Sequence, residues 1–394
     1  MYTTSKGDTF ARISKIVYGT AENEGLLKSS NPGVSEPIPS GIAIITPATS
    51  QSIPMEVVSS NPSEVSLLIE GERFRFWESI RISRSIDSID KVEFSAPFEA
   101  NNPSFKEKFR PFSYKKVSVF VGGRLLFNGV MVAVTPNITT EKKSVAISCY
   151  SIPGVLGDCT MPSSAYPLEF NNSKLDTIAK KLCAPFGIKP VFTAGVGASF
   201  ERVALDPGQN ILAFLTDLAK FRNLIISSTS DGKLLFQKSA STGNPVVRLF
   251  QAEPPLMEIS PTFNPQDYSS HITGIEPATT KDAGSQFTVK NPKLNVVLRP
   301  DTFRVENTKK ADVKEAVSAK MGRMFGNMVS YQIGLATWFD PSGNLWEQNT
   351  TLKLKADDAM IYSEYEFIIR SVEFSKEADK ETACMTLVLP GAFS

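Results

Sequence analysis

One histidine and four cysteines in 394 residues leave little material for metal or redox chemistry. With His271 alone, every site that needs two imidazoles is excluded, zinc hydrolase motifs and most facial triads among them. Cys149, Cys159, Cys183 and Cys384 form no CxxC pair, which predicts reduced thiols in a cytoplasmically made protein. No basic and apolar leader opens the sequence, so no secretory signal is expected. Long apolar runs are missing as well. The nearest to a membrane span, Val117 to Val134, is broken by Gly122-Gly123, Arg124 and Asn128-Gly129, and reads as strand, turn and strand. Charge of one sign is also lacking: 42 Lys and Arg stand against 41 Asp and Glu. Such a balance disfavours nonspecific binding to nucleic acid or an anionic membrane, both of which need excess cations.

What is present is ordinary globular composition, with 41% hydrophobic and 21% charged residues, 26 Phe, 26 Pro and 24 Gly. At about 100 to 200 residues per domain this length predicts two to four domains, and the Pro and Gly content predicts many short strands with frequent turns. Residues 1–47 form a compact unit in which Asp8 is placed to cap a helix bearing Phe10, Ile13, Ile16 and Val17. Tyr18-Gly19 stops that helix, Asn31-Pro32 turns the chain, and 41–46 closes the unit as a strand. The Ser, Pro and Asn-rich stretch 48–63 reads as a linker.

From Val65 the period changes to two. Ile80 and Ile82 alternate with Arg81 and Ser83; Val92, Phe94 and Ala96 alternate with Lys91, Glu93 and Ser95. Between Pro162 and Lys238 two helices intrude. One opens at Ser173, with Asp176 completing a capping box, and carries Leu175, Ile178, Ala179 and Leu182; the other carries Ile211, Leu215, Leu218 and Ala219. A hairpin turning at Asp231-Gly232 follows. Strands are expected at 270–275, 286–289 and 295–298, then a helix over 308–325 facing inward through Val313, Val317, Met321 and Met324, then strands from Tyr331 to Leu389. Val117 to Ser151 and Leu352 to Pro390 share one pattern of strand, turn, long strand, charged hairpin and strand. A duplicated architecture and two unrelated antiparallel sheets both account for that pattern.

The residues that could carry chemistry favour bland roles. His271 lies in a predicted strand, and Asp357-Asp358 lie at a turn where adjacent acids do not converge on one bond. Ala194-Gly-Val-Gly-Ala198 lacks the Gly-Lys-Ser/Thr ending of a phosphate loop. The cysteines have no charged neighbours to make a thiolate and are expected in the core. No catalytic, metal or cofactor site is expected.

Two resemblances emerge. The first 47 residues resemble a LysM module through Gly7-Asp8-Thr9, Tyr18-Gly19, Asn31-Pro32 and Ile38-Pro39-Ser40-Gly41. This implies a βααβ fold whose motif residues are Gly7, Asp8, Thr9, Tyr18, Gly19, Asn31, Pro32, Pro39 and Gly41. Glu22-Asn23-Glu24 stands where such modules carry an aromatic or apolar residue, and the module's charge is balanced; both favour contact with protein over glycan.

From about Val65 onward the chain resembles the baseplate hub proteins of Mu-like contractile-tailed phages. The resemblance rests on the segment starting Trp77-Glu-Ser-Ile-Arg, on Leu175 to Ile188, and on the block from Phe200 to Ser239. It implies a homotrimer joining a hexameric tail tube protein to a trimeric central spike protein. Genomic DNA would pass through without specific binding, the LysM-like module would meet other baseplate proteins, and the site of action would be the virion tail, assembled in the host cytoplasm. The implied fold is α+β, β-rich and multidomain. It comprises the module (1–47), the linker (48–63), a first antiparallel β-barrel (64–161), an inserted α/β domain (162–250) and a second similar barrel (251–394). Parts of 251–300 could complete the first barrel, and the trimer would form a pseudo-sixfold ring. A LysM-targeted peptidoglycan-binding protein or cell-wall hydrolase is the alternative.

Overall fold

The computed structural model describes residues 1–18, 20–49, 59, 61–240, 243–266, 268–276, 284–291, 294, 296–305, 310–378 and 380–393, the side chains of 310–312 apart. Gly19 and most of the 48–63 stretch therefore lie outside the described residues.

The N-terminal unit runs β1 (Tyr2–Thr3), α1 (Phe10–Tyr18), α2 (Glu24–Ser30) and β2 (Ala43–Ile44), with the two strands antiparallel. Phe10, Ile13, Leu27, Ile38 and Ile44 make its core. Ile16, at helical spacing with them in the sequence, is 55% exposed, because Tyr18 fills the inward position instead. The α1 cap also differs from the expected one. Thr9 Oγ1 accepts from Arg12 N–H (3.2 Å) and Glu36 Oε1 accepts from Phe10 N–H (2.7 Å), while Asp8 turns back toward Ser5.

The first β region contains β3 (Val65–Ile69), β4 (Glu72–Phe74), β5 (Ser79–Ser85), β6 (Lys91–Pro97), α3 (Pro103–Lys108), β7 (Lys116–Val121), β8 (Arg124–Ile138) and β9 (Lys143–Ser151). Its alternating residues behave as their period requires: Ile80, Ile82, Val92, Phe94 and Ala96 are all buried, and Arg81, Lys91 and Glu93 are exposed. The α/β unit follows with β10 (Leu168–Ser173), α4 (Leu175–Cys183), β11 (Pro190–Phe192), β12 (Phe200–Leu205), α5 (Ile211–Lys220), β13 (Ile225–Ser228) and β14 (Leu234–Gln237). Leu175, Ile178 and Leu182 pack against Ile211, Leu215 and Leu218, and Ile152 and Leu156 join that core from the preceding turn. The expected capping box at Ser173 is absent. Lys174 is the N-cap, with no side-chain bond, because Ser173 is still paired in β10 opposite Phe200.

The second β region has β15 (Arg248–Phe250), β16 (Leu256–Phe263), β17 (His271–Ile275), β18 (Gln286–Lys290), β19 (Pro300–Arg304), α6 (Lys310–Met328), β20 (Val329–Leu335), β21 (Thr351–Ala356), β22 (Ile361–Glu377) and β23 (Lys380–Val388). The strand expected at 295–298 falls later, at β19. Val296 and Leu298 are 83% and 77% exposed, with no sheet to bury them, whereas β19 pairs in parallel with β17. On α6, Val313, Val317 and Met324 face inward as expected, and Met321 is half-buried; Thr308 lies outside the described residues.

Thirteen of the described strands form one sheet, ordered β16-β20-β23-β22-β5-β6-β9-β8-β7-β3-β4, with β21 also on β22 and β15 on β21. The two β regions repeat one plan within it. Their spatial orders are β3-β7-β8-β9-β6-β5 and β15-β21-β22-β23-β20-β16, and each series is threaded in the same chain order. The long hairpins agree residue for residue. Met131↔Cys149 corresponds to Ile369↔Leu387, the bulge before Ala133 to that before Ser371, and Ile138↔Lys143 to Lys376↔Glu381. Several differences mark the copies: β4 and α3 are extra in the first, β17 to α6 is inserted between β16 and β20 in the second, and β15 lies parallel to β21 where β3 is antiparallel to β7.

Two closed barrels are not what the described residues form. Beyond its bulge, β22 pairs with β23 on one side and with β5 on the other, from Ser371↔Ser85 to Glu377↔Ser79. The sheet therefore runs from one region into the next, and apolar residues of both share a single core. Phe374 sits fully buried in this seam, opposite Ile82 and 5.3 Å from the Trp338 ring. Replacing Phe374 by Ala is expected to cost about 3–5 kcal/mol. Because the core is shared, amide-exchange protection should fall in β6 and β20 together; loss confined to β20 would show that the regions unfold independently.

Candidate functional site

The motif residues of the N-terminal unit come together as a small scaffold. Asp8 accepts from Ser5 N–H (2.7 Å) and from Tyr2 Oη (2.9 Å), and Arg12 lies 3.5 Å away. The Ser5 N–H, more than any other contact, holds the Asp8 carboxyl below the usual carboxylate range. Asn31 ties the end of α2 to the last strand: its Nδ2 donates to Leu27 and Ile45 carbonyls, and its Oδ1 accepts from Ile45 N–H (2.8 Å). The Pro39 carbonyl accepts from Thr4 Oγ1, and Tyr18 Oη donates to the Pro47 carbonyl (2.7 Å). Gly7 and Gly41 adopt positive φ, while Thr9 and Pro32 are exposed. Apart from the side-chain contacts of Asp8 with Tyr2 and Arg12, these bonds hold backbone in place, and together they form no convergent set of groups for a ligand.

The same unit is docked on the rest of its own chain. Leu26 of α2 is buried, and Ser29 Oγ donates to the Pro185 carbonyl (3.4 Å). Thr49 Oγ1 donates to the Gly187 carbonyl, and Lys116 of β7 stands over the Tyr18 ring (5.6 Å). Gly187 has φ +61, and a Cβ there would lie 2.7 Å from both Leu26 Cδ2 and Thr49 Oγ1. Asn23, in the polar run before α2, is buried in this contact beside Thr49.

A second junction ties the sheet to the α/β unit. Arg84 of β5 pairs with Asp90 (3.1 Å), both buried, and Asp90 N–H donates to Ser228 Oγ of β13 (2.9 Å). Burial raises the Asp90 carboxyl to about 6, with the Arg84 guanidinium pulling the other way.

A cleft of about 1100 Å³ separates α5 and β12 from β19 and α6. Its charges are largely committed: Lys320 pairs with Asp301 (2.7 Å) and Lys220 with Asp217 (2.8 Å). Burial lowers Arg323 there to about 10. Sequence reasoning did not foresee this cleft, since its walls are 100 residues apart in the chain and share no motif.

The remaining candidates are structural. His271 Nδ1 meets Ser270 Oγ (2.9 Å) at the start of β17, and Asp358 is engaged by Gln251. The 194–198 loop is held by Arg222, which donates to the Ala198 carbonyl (3.0 Å) and stacks on Phe200. Cys149 and Cys183 are buried as expected, the latter pushed up to about 12 by burial. Cys384 is exposed instead, because its position in β23 faces away from the core. Among the described residues no cluster of His, Cys, Asp and Glu could hold a metal ion, and no helix is long and apolar enough to cross a membrane.

Residues 153–238, the α/β unit, match a known family profile. It is that of baseplate hub protein gp44-like, second domain. Over 183 residues the chain is 25% identical to baseplate hub protein gp44 of Escherichia phage Mu, covering 45% of this chain and 46% of that protein. The chain thus matches about half the length of that curated relative. Its fold is that of phage tail proteins. The prophage MuSo2 43 kDa tail protein from Shewanella oneidensis superposes with a TM-score of 0.71 at 22% identity, over 84% of this chain and 99% of that one. The tail protein from Neisseria meningitidis MC58 gives 0.70 at 18% identity, over 84% and 97%. These relatives are proteins of the phage tail and baseplate.

Two outcomes follow from the junctions. Gly187→Ala should undock the N-terminal unit, seen as faster proteolysis within 48–63 with the sheet core unchanged; unchanged proteolysis would show that the contact carries no stability. Asp90, whose proton is held more tightly in the folded chain, makes the native state bind more protons between pH about 4 and about 6. Stability from this group should therefore fall as pH rises through that window and level off above it. Urea midpoints at pH 4.5 and 7, compared between the chain and Asp90→Asn, measure the difference.

Proposed function

We propose that this chain is a structural hub of a contractile phage tail or related contractile particle. It assembles as a homotrimer that joins a hexameric tail tube to a trimeric central spike and leaves an axial channel for the genome. The observation that carries this reading is the repeated six-strand plan. A trimer under closed threefold symmetry offers three copies of any one surface. Three chains with two similar sheet regions each offer six similar surfaces, which is what a hexameric tube requires.

The similarity to the Mu hub and to the prophage tail proteins supports the phage-tail setting. Balanced charge suits a conduit, since a strongly basic lumen would retain phosphates. The LysM-like unit serves in this reading as a protein-contact module. Its α2 face is occupied by the chain's own Pro185–Gly187 turn, which disfavours the peptidoglycan-binding alternative.

Sedimentation of the purified chain should give about three times its 43.1 kDa mass, and micrographs of the particle should show it where tube meets spike. A monomer that co-sediments with cell-wall sacculi would overturn this reading in favour of the alternative.

A further inference from the structure

The two copies of the strand plan differ in how their edges are filled. In the second region the part of the long strand beyond the bulge, Ser371–Glu377, carries β5 along its outer side. In the first region the equivalent stretch, 133–138, pairs among the described residues with β9 only. Likewise β5 is covered by β6 and β22, whereas its counterpart β16 pairs among the described residues with β20 only. Each chain therefore presents an unfilled edge and an unused strand of the same two kinds that it joins internally. We propose that 133–138 of one chain pairs with β16 of the next copy, so that the β22–β5 seam is repeated between chains. This inference rests on the trimeric reading above and identifies the contact that closes the ring.

The internal seam supplies the register. Val372 faces Arg84, Phe374 faces Ile82 and Lys376 faces Ile80. The matching hairpins make Val134, Pro136 and Ile138 the counterparts of Val372, Phe374 and Lys376. On the other side, Ile80↔Phe94 and Ile82↔Val92 correspond to Ile259↔Ile333 and Pro261↔Tyr331. Carried over, the register sets Val134 against Phe263, Pro136 against Pro261 and Ile138 against Ile259. One face of the joint is then wholly apolar. The other is wholly polar, with Thr135 against Thr262 and Asn137 against Ser260. A slip of one residue would set every apolar side chain against a polar one.

Surroundings agree with this pairing. Val134 and Ile259 already pack against the margin of the main core, so the apolar face of the joint continues it. Ile138 and Phe263, left 58% and 47% exposed in the single chain, would be covered. Beside β16 lies a groove of about 220 Å³ lined by Leu256, Ile259, Pro261 and Asp358, where the Ile138 end of the hairpin would sit.

Backbone geometry is also compatible. Thr139 N–H donates to Lys142 and Asn264 N–H to Met328, both inward. Since N–H groups alternate sides along a strand, residues 134, 136 and 138, and 259, 261 and 263, direct theirs outward. The rungs Val134–Phe263 and Ile138–Ile259 can each exchange a pair of backbone hydrogen bonds. The middle rung has a proline on both sides and no N–H to offer. Prolines at the centre of both free edges prevent either from templating a continuous ladder with an unrelated strand. Where they meet, the middle rung forgoes its two backbone hydrogen bonds and leaves the Pro136 and Pro261 carbonyls without a ladder donor, so the outer rungs and the apolar face hold the joint.

Thr135 and Thr262 form a non-hydrogen-bonded pair in this register, with Cα atoms about 4.5 Å apart, within disulfide reach. The full chain carrying Thr135→Cys, Thr262→Cys and Cys384→Ser should, on mild oxidation, give covalent dimers and trimers on non-reducing gels. A Thr135→Cys, Ser260→Cys chain in the same background should cross-link at least about tenfold more slowly, because two residues along a strand add about 7 Å. Sedimentation of the reduced variants separates the outcomes. A trimer that cross-links in neither variant, equally in both, or only within single chains overturns the seam and leaves the ring reading standing. A monomer overturns both.

Discussion

The antiparallel pairing of Ser79–Ser85 with Ser371–Glu377 is the contact on which the rest of the structure depends. It joins segments nearly 300 residues apart and turns two sheets into one. Across it Ile80, Ile82, Val372 and Phe374 are buried at 0–2% exposure, so neither region has a complete apolar core without the other. The α/β unit is inserted between the two β regions, and chain closure at this seam fixes where its ends lie. Arg84 and Asp90 then anchor the unit beside the seam through Ser228.

Seen from that seam, the peripheral parts have distinct physical characters. The N-terminal unit has its own small core and is held to the body by a few contacts around Gly187 and by Lys116 over Tyr18. The inserted β17 to α6 unit has apolar clusters apart from the main core and faces the α/β unit across a cleft in which Lys320 pairs with Asp301. Both are additions to a continuous sheet that would be recognisable without them.

Chemistry is subordinate to architecture throughout. Cys149 and Cys183 are held as neutral thiols by burial, Arg222 is spent on clamping a loop, and Asp8 serves the backbone of the first turn. Polar groups engaged in this way shape the fold.

Much was legible in the sequence because it is local. Period-two alternation at Ile80 to Ala96, the helical spacing of Leu175, Ile178 and Leu182, the Asp231-Gly232 turn and the matched hairpins of 117–151 and 352–390 are set by neighbours within one element. Cap assignments were less secure. Asp8, Thr9 and Glu36 are chemically alike as caps, and only the approach of Glu36 from 26 residues away decides among them. What the sequence could not determine is pairing at a distance. Strand alternation says which face is apolar but not which partner lies alongside, so two barrels and one continuous sheet share one pattern of residues. The tertiary structure chose the sheet because β22 runs past its bulge far enough to present a second edge, and β5 is the strand that fills it.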